Sequence, residues 1–374
     1  MKIKVNKGYL FLALIFIFVF VFRLYFVFQT ENFSNDKSYF HIRHIESIQE
    51  NIKPLVYDSL SYGGHNILYP PFFHYLLAFF TLILPFNLAL KIIPEILIAL
   101  NVIIVYLISK EITKKENASL IAALISGFIP LLIKNTINSI SIYSLIIPAI
   151  FLTYYCLIKI DKSKFYLISF IILSIILPLI HPISFLFIIS LVFYLILIFI
   201  ENKKTERLKS EAIMFSIFLT VLIGFLLFKK AFLAYGFKII WQNTPRDLLL
   251  LLFKSTNIFE AIYNIGIVPL ILGTIGIFYG FFREKKDSTY LLIGMILSIL
   301  LLFIMKLIDI NIGFIFLGIC LSILSALTLS KLSEYLSLTK FSNLKNYLKV
   351  FLLVIIVLLS ILPSITSAKK VIAS

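Results

Sequence analysis

Long apolar stretches separated by short charged segments dominate the chain. Twelve apolar runs fall near residues 8–28, 70–86, 87–109, 118–133, 142–158, 165–180, 183–200, 212–228, 262–282, 289–306, 310–330 and 350–367. Most of them approach the roughly 20 residues that a helix needs to cross a bilayer. Because only helices and closed barrels satisfy their backbone hydrogen bonds in lipid, the pattern predicts an all-α, polytopic transmembrane helical bundle.

The positions of the basic residues predict how many runs cross. Six clusters hold 20 of the 34 Lys and Arg residues, at 2–7, 110–117, 159–164, 201–211, 283–288 and 331–349. All six fall on one side of the membrane only if the run 70–86 does not cross, and basic loops favour the cytoplasmic side. We therefore expect a multi-pass protein of the cell membrane with eleven spans, a cytoplasmic N-terminus and a juxtamembrane helix at 70–86.

Composition narrows the class of protein. Hydrophobic residues make up 61% of the chain and charged residues 14%, whereas soluble domains carry about 25% charged residues. The net charge of +16 lies in short runs between apolar stretches, so we expect membrane lipids as partners and no nucleic acid. We expect one transmembrane domain over 1–374, with large extracytoplasmic loops at 29–86 and 229–263 and no soluble domain after the last span.

The first large loop begins with an amphipathic helix over 35–52. Ile42, Ile45 and Ile48 recur at helical spacing, and most charged positions lie off that stripe. Asp36 stands at the start of the helix, where it either caps the helix or serves as a functional acid.

For three side chains of this helix, the sequence allows more than one interpretation. His41 and His44 are three residues apart and share a face, so they either bind a metal with Asp36 or lie at the interface without a ligand. Arg43 either grips a phosphate with its planar fork or pairs with Glu46 or a lipid headgroup.

Other polar positions are ambiguous in the same way. The stretch 57–80, with its Gly-Gly turn and aromatic residues, either binds a sugar or prenyl chain or packs against headgroups. The loop 229–263 carries five cations that an anionic headgroup or diphosphate would compensate, although Trp241 also suits an interfacial belt. His181 either acts in catalysis or hydrogen-bonds locally, and Lys91 and Glu95 are expected to neutralise each other.

The order of these motifs resembles the GT-C superfamily of integral-membrane glycosyltransferases. That group includes the oligosaccharyltransferase catalytic subunit, the protein mannosyltransferases and the aminoarabinose transferase of lipid A. The residues that carry the resemblance are Asp36, Tyr39, Phe40, His41, Arg43 and Glu46, then Tyr69, Pro70, Pro71, Tyr75, Leu76, Leu77 and Ala78, then Lys91, Pro94 and Tyr106.

The resemblance implies a hexosyltransferase-class enzyme that takes a sugar from a polyprenyl-phosphate-linked donor at the extracytoplasmic face. Asp36 would be the first-loop acid, which binds a divalent metal in one branch and acts as general base in others. The candidate substrate-binding residues are Arg43, His44, Tyr69, His181, Arg246 and Glu260. Whether a divalent metal ion is needed stays open.

Two departures from the family pattern are compatible with other functions. The short loop 134–141 has no carboxylate where the family carries an acid, and the soluble C-terminal domain of the oligosaccharyltransferases is not expected. A monosaccharide transferase and a non-catalytic protein of the same fold are both compatible with this. A transporter or lipid flippase is the further alternative, although the later spans carry few of the midplane charges that transporters use.

Overall fold

The computed structural model describes residues 7–60, 63–203, 206–242, 257–338 and 344–373. The helices are α1 (Lys7–Val27), α2 (Lys37–Asn51), α3 (Phe72–Thr81), α4 (Phe86–Thr113), α5 (Glu116–Gly127), α6 (Pro130–Thr136), α7 (Tyr143–Ile158), α8 (Lys164–Ile180), α9 (Ser184–Ile200), α10 (Arg207–Leu227), α11 (Lys229–Tyr235), α12 (Ile239–Gln242), α13 (Ile258–Ile265), α14 (Ile267–Phe278, continued by a π-helical turn over Tyr279–Glu284), α15 (Asp287–Ile304), α16 (Ile310–Leu338) and α17 (Lys345–Ala373). Strands β1 (Tyr57–Asp58) and β2 (His65–Asn66) form a small antiparallel hairpin.

The all-α class is confirmed, whereas the count of eleven spans is not. Among the described residues, seven helices are long and apolar enough to cross a membrane: α1, α4, α10, α14 with its π-helical turn, α15, α16 and α17. Helices α5 and α6 form an eighth candidate with a bend of 46°. Pro130 explains the break, because proline has no N–H for the helix ladder and clashes with the preceding turn, yet fits the first turn of a new helix.

Helix α16 forms the centre of the bundle and packs against α4, α5, α14 and α15. Its contact with α14 is unusually close at Gly276, where an added Cβ would lie 2.1 Å from the carbonyl oxygen of Leu324. Small residues allow two helix backbones to approach in this way. In contrast, α17 contributes little to the core, and only 17% of its apolar window is buried.

The described parts of the predicted basic clusters meet at one end of the bundle; residues 1–6, 204–205 and 339–343 lie outside the described residues. The ammonium group of Lys110 lies 4.9 Å from the ring of Tyr9, so the start of α1 adjoins the end of α4. Glu111 then pairs with Lys162 at 2.8 Å, and Lys115 pairs with Glu334 at 3.5 Å.

Two further ion pairs complete this end. Glu284 pairs with Lys331 at 3.0 Å, and Glu201 pairs with Lys285 at 2.8 Å. We call this the basic end. Helices α1, α5, α8 and α10 begin there, and α4, α7, α9 and α16 end there.

The segment 29–86 covers the opposite end. Helix α3 has ten residues, about 15 Å of helix, which is half the thickness of a bilayer core. It packs against α2, where Gln49 donates to Thr81 at 2.7 Å and Tyr75 donates to the carbonyl oxygen of Ile52 at 3.1 Å. The paired α2 and α3 therefore form a platform on the bundle.

Candidate functional site

Asp36 lies at the exposed start of α2. Its side chain makes no capping hydrogen bond, and instead the Oδ1 of Asn35 accepts the Lys37 N–H at 2.9 Å. The capping role considered for Asp36 is therefore wrong. Within the described residues, the Asp36 carboxylate has no hydrogen bond and no ion pair, so it is open to a ligand.

The serines on either side of Asp36 fix the backbone around it. Ser34 donates from its N–H and from its Oγ to the carbonyl oxygen of Asn138, both at 3.0 Å. The hydroxyl oxygen of Ser38 accepts the N–H of Ile140 at 3.0 Å. The short loop 137–142 between α6 and α7 thus holds both sides of Asp36, although it supplies no acid of its own.

A buried ion pair supports this short loop from below. Arg23 of α1 donates from Nε to Glu95 of α4 at 2.5 Å, and each side chain is 1% exposed. The other carboxylate oxygen of Glu95 accepts the N–H of Asn138 at 2.9 Å, and Arg23 also donates to the hydroxyl of Thr136 at 2.8 Å. Both charged side chains of the pair have further hydrogen-bond partners, as a buried ion pair requires.

The expectation that Lys91 and Glu95 neutralise each other is wrong. Lys91 donates instead to the carbonyl oxygens of Val27 and Thr30 at the end of α1. Lys91 and Glu95 lie on one face of α4 because of their spacing, but Arg23 of α1 is the cation in contact with Glu95. The role of Arg23 was not identified from the sequence. The only indication of it was a single charge within an otherwise apolar run.

Three histidines cluster between α2 and α3. His41 Nδ1 and His74 Nε2 are 3.0 Å apart, and the ring centroids of His44 and His74 are 4.8 Å apart. The ring of Tyr69 closes the cluster at 5.6 Å from His74. All three imidazoles are buried.

Burial keeps these imidazoles neutral. Loss of solvent lowers the pKa of His41 to about 4 and that of His74 to about 2, and charge repulsion from His44 lowers both further. The pKa of His44 is also lowered, chiefly by burial, and burial raises the pKa of Tyr69. At neutral pH the cluster therefore packs α2 against α3 and contributes no charge.

The metal interpretation of Asp36, His41 and His44 finds no support. No group of three or more His, Cys, Asp or Glu side chains in the described part of the chain is arranged to hold a metal ion.

Arg43 pairs with Asp58 and not with Glu46. Its Nη1 donates to Oδ1 of Asp58 at 2.7 Å, and Arg43 is 34% exposed while Asp58 is 4% exposed. The same Asp58 oxygen accepts the N–H of Leu60 at 3.0 Å. The β1–β2 hairpin brings Asp58 to Arg43, and Glu46 stays exposed. Asp58 is a site residue that was not identified from the sequence. The only indication of its role was its position as an acid before a Gly-Gly turn.

Of the remaining described candidates, His181 lies close enough to His41 for charge repulsion between them to lower the pKa of His41, whereas Glu260 belongs to another part of the bundle. His181 joins α8 to α9, where its Nδ1 accepts the N–H of Ile183 at 3.0 Å and its ring lies 5.3 Å from that of Tyr143. Burial lowers its pKa to about 4, which fits the local hydrogen-bonding interpretation. Glu260 is exposed in the first turn of α13, whose neighbours are α6, α14 and α16. Arg246 lies outside the described residues.

The site thus combines an unpaired carboxylate with a rigid support. Asp36 is exposed, its neighbours are tied to a second loop, and that loop rests on a buried ion pair. A partly exposed guanidinium, Arg43, lies two turns along the same helix. A carboxylate can accept a proton from an attacking hydroxyl, and a guanidinium can bind a phosphate.

Comparison with known proteins shows the fold. No protein-family model and no curated protein matches the sequence. Two solved structures are similar over almost the whole chain, both of the Archaeoglobus fulgidus oligosaccharyltransferase. The apo form matches with a TM-score of 0.69 and 14% identity over 96% of this chain, and the complex with zinc and sulfate with a TM-score of 0.63 and 16% identity over 95%.

The similarity has a defined extent. The chain covers 56% of the apo chain and 53% of the other. At this identity the comparison shows the fold alone. The chain therefore shares the fold of the part of that oligosaccharyltransferase which it covers.

Proposed function

We propose that this protein is a membrane glycosyltransferase of the GT-C type that takes a sugar from a polyprenyl-phosphate-linked donor at the extracytoplasmic face. The observation that carries the proposal is the similarity to an oligosaccharyltransferase over 96% of the chain. An unpaired Asp36 at the start of the first large loop gives that fold an acid in the position which the resemblance assigns to it.

The proposed topology puts this site outside the cell. We propose that α7, α8 and α9, which have 16 or 17 residues each, cross along with the seven longer spans and the bent pair α5 and α6, and that α3 does not. That gives eleven spans in one domain. The basic end would then be cytoplasmic, as the distribution of positive charge favours, and the α2–α3 platform would face outward.

In the proposed reaction, Asp36 acts as general base. The acceptor hydroxyl gives its proton to the carboxylate as its oxygen bonds to the anomeric carbon of the sugar. The bond between that carbon and the phosphate oxygen breaks, and the lipid phosphate leaves with its electron pair. Arg43 and the exposed Lys229 and Lys230 are the cations proposed to stabilise the leaving phosphate.

The other candidates receive more limited roles. Tyr69 and Glu260 are proposed to contact the sugar or the acceptor, and Arg246 to bind phosphate. His44 is buried and His181 is partly buried and bonded within its own loop, so we assign them to positioning the loops. The residues described do not fit a divalent metal, because they form no group of metal-binding side chains and the loop 134–141 lacks an acid. No step is therefore assigned to a metal.

The direct test compares Asp36→Asn with a matched control, Glu46→Gln, which removes an exposed carboxylate from the same helix. Proteoliposomes would receive polyprenyl-phosphate-linked radiolabelled sugars and a panel of hydroxyl acceptors. We expect Asp36→Asn to lower transfer by about 10²–10⁴-fold, the usual contribution of a general base, and Glu46→Gln to leave it unchanged.

Three results would contradict the proposal. Full transfer by Asp36→Asn would remove the role of that acid. Lipid movement between leaflets without sugar transfer would favour a flippase. No transfer by the wild-type protein with any donor, together with normal folding, would favour a non-catalytic protein of this fold.

A further inference from the structure

A cavity of about 830 Å³ lies at the basic end, far from Asp36 along the bundle. Its apolar wall comes from α1, α5, α16 and α17, and includes Phe11, Ile15, Leu120, Leu124, Leu329, Leu352 and Ile356. The volume is in the range of ligand pockets, about 300–1,000 Å³. The glycosyl-transfer proposal makes no use of it.

The cavity exists because α17 is fixed to the bundle at only one end. Near its C-terminal end, Ser364 donates to the carbonyl oxygen of Phe128 at 2.7 Å, and Tyr263 donates to that of Pro363 at 3.0 Å. Towards its N-terminal end the side chains are largely free of protein contacts: Tyr347 is 77% exposed and Phe351 is 64% exposed. The space between this half of α17 and the bundle is lined mainly by apolar side chains.

The mouth of the cavity is polar and carries an excess of positive charge. Lys114, Lys115 and Lys349 line it together with Glu116 and Glu334. Both carboxylates already have lysine partners, Glu116 with Lys110 at 3.1 Å and Glu334 with Lys115 at 3.5 Å.

Lys349 is the unmatched charge at this mouth. Lys349 makes no ion pair with any other residue in the described ranges. It lies on α17, and side chains next to it on that helix line the cavity. An apolar chamber with an unmatched cation at its mouth is complementary to an acyl chain that ends in an anionic headgroup.

We propose that this cavity binds one anionic membrane phospholipid from the leaflet at the basic end. The acyl chains would occupy the apolar wall between α1, α5 and α17, and the phosphate would lie between Lys115 and Lys349. Basic pockets between transmembrane helices bind acidic headgroups in this manner. The bound lipid would join the free half of α17 to the rest of the bundle.

The test uses the full chain purified in detergent, with bound lipid counted by native mass spectrometry during titration with phosphatidylglycerol or phosphatidylcholine. We expect one phosphatidylglycerol per chain and weaker binding of phosphatidylcholine. In Lys115→Gln with Lys349→Gln, phosphatidylglycerol should bind about 30-fold more weakly, since each lysine near a lipid surface favours the anion.

A matched control removes two other lysines. Lys164→Gln with Lys369→Gln changes the net charge equally at exposed positions that do not line the cavity, and should leave binding unchanged. Equal binding of the two lipids by the wild-type chain would overturn the proposal without recourse to any variant. Equal weakening in both double variants, or displacement of phosphatidylglycerol by equimolar polyprenyl phosphate, would also overturn it. None of these results depends on whether sugar transfer occurs.

Discussion

The ion pairs at the two ends of the bundle differ in their solvent exposure. At the basic end, most ion pairs are partly or fully exposed; Arg207 and Glu211, for example, are 93% and 60% exposed. At the opposite end, Arg23 and Glu95 are each 1% exposed and support the loop beside Asp36. Exposed pairs contribute little to stability, whereas removal of one partner from a buried pair is costly. The comparison shows that one buried pair can fix the backbone of a loop, whereas the more numerous exposed pairs mark where the basic residues collect.

The largest expected difference between the ends comes from Glu95→Gln. The change leaves Arg23 buried without an anion, which costs about 3–5 kcal/mol of unfolding free energy. It also weakens the hold of Asn138 on the loop around Asp36, so sugar transfer should fall even in the folded fraction. Thermal unfolding in detergent, together with transfer assays below the melting temperature, would measure both effects.

A compensating variant sharpens this prediction. Arg23→Met with Glu95→Met removes both charges and should recover much of the lost stability, because a buried pair can be replaced by apolar groups of similar volume. It should not recover transfer, since Asn138 still lacks its acceptor. Equal stability of Glu95→Gln and the wild-type chain would show that the pair is not buried as described.

The histidine cluster should make stability depend on pH. An unfolded chain binds protons at histidine below pH 6.5, whereas burial lowers the folded pKa of His41 to about 4 and of His74 to about 2. Because the unfolded state binds more protons, stability falls as pH decreases through this window. For His41 alone the loss between pH 6.5 and pH 4 is about 3 kcal/mol.

Melting temperatures at pH 7, 5.5 and 4 would check this dependence. The variant His41→Gln with His74→Gln should melt lower at pH 7 but show a smaller decline with pH. An identical slope in the variant and the wild-type chain would assign the decline to other groups, with buried His181 as the first to test.

A smaller effect is expected from Arg43→Gln. Asp58 would remain buried and keep only the N–H of Leu60 as a donor, and loss of a hydrogen bond to a charged group costs about 1.5–3 kcal/mol. Asp58→Asn should cost less, because it removes the buried charge. Proteolysis within the segment 52–70, followed over time, would report whether the hairpin detaches from α2.

The smallest effect is expected at the basic end. Glu211→Gln repeats the Glu95→Gln change where Glu211 meets Arg207, with side chains 60% and 93% exposed, and it should cost less than about 1 kcal/mol. High salt should reduce even this difference, since exposed pairs are screened. A loss as large as that of Glu95→Gln would remove the contrast between the two ends.

Much of the architecture was predictable because it depends on local pattern. Apolar runs predicted the helices, and the positions of Lys and Arg predicted clusters that meet at one end. The bend at Pro130 follows from proline chemistry, although the run 118–133 was expected to be continuous. The count of spans was less predictable, because helices as short as α7 do not satisfy a length criterion by themselves.

The site was less predictable than the fold. Asp36 was identified as the first-loop acid from its place in the motif, and its role remains a proposal. The partners of the other side chains were misassigned wherever a neighbour in sequence was preferred: Glu46 for Arg43, and Lys91 for Glu95. His74 was not grouped with His41 and His44.

The sequence by itself determined that this is a helical membrane protein, which segments form its helices and where its positive charge collects, because each depends on side chains within about one helix length. Only the tertiary structure decided which charges pair and which are buried. Arg23 and Glu95 are 72 residues apart, His41 and His74 are 33 apart, and Arg43 and Asp58 are 15 apart. Such contacts arise from helix packing, which no periodicity along a single helix encodes.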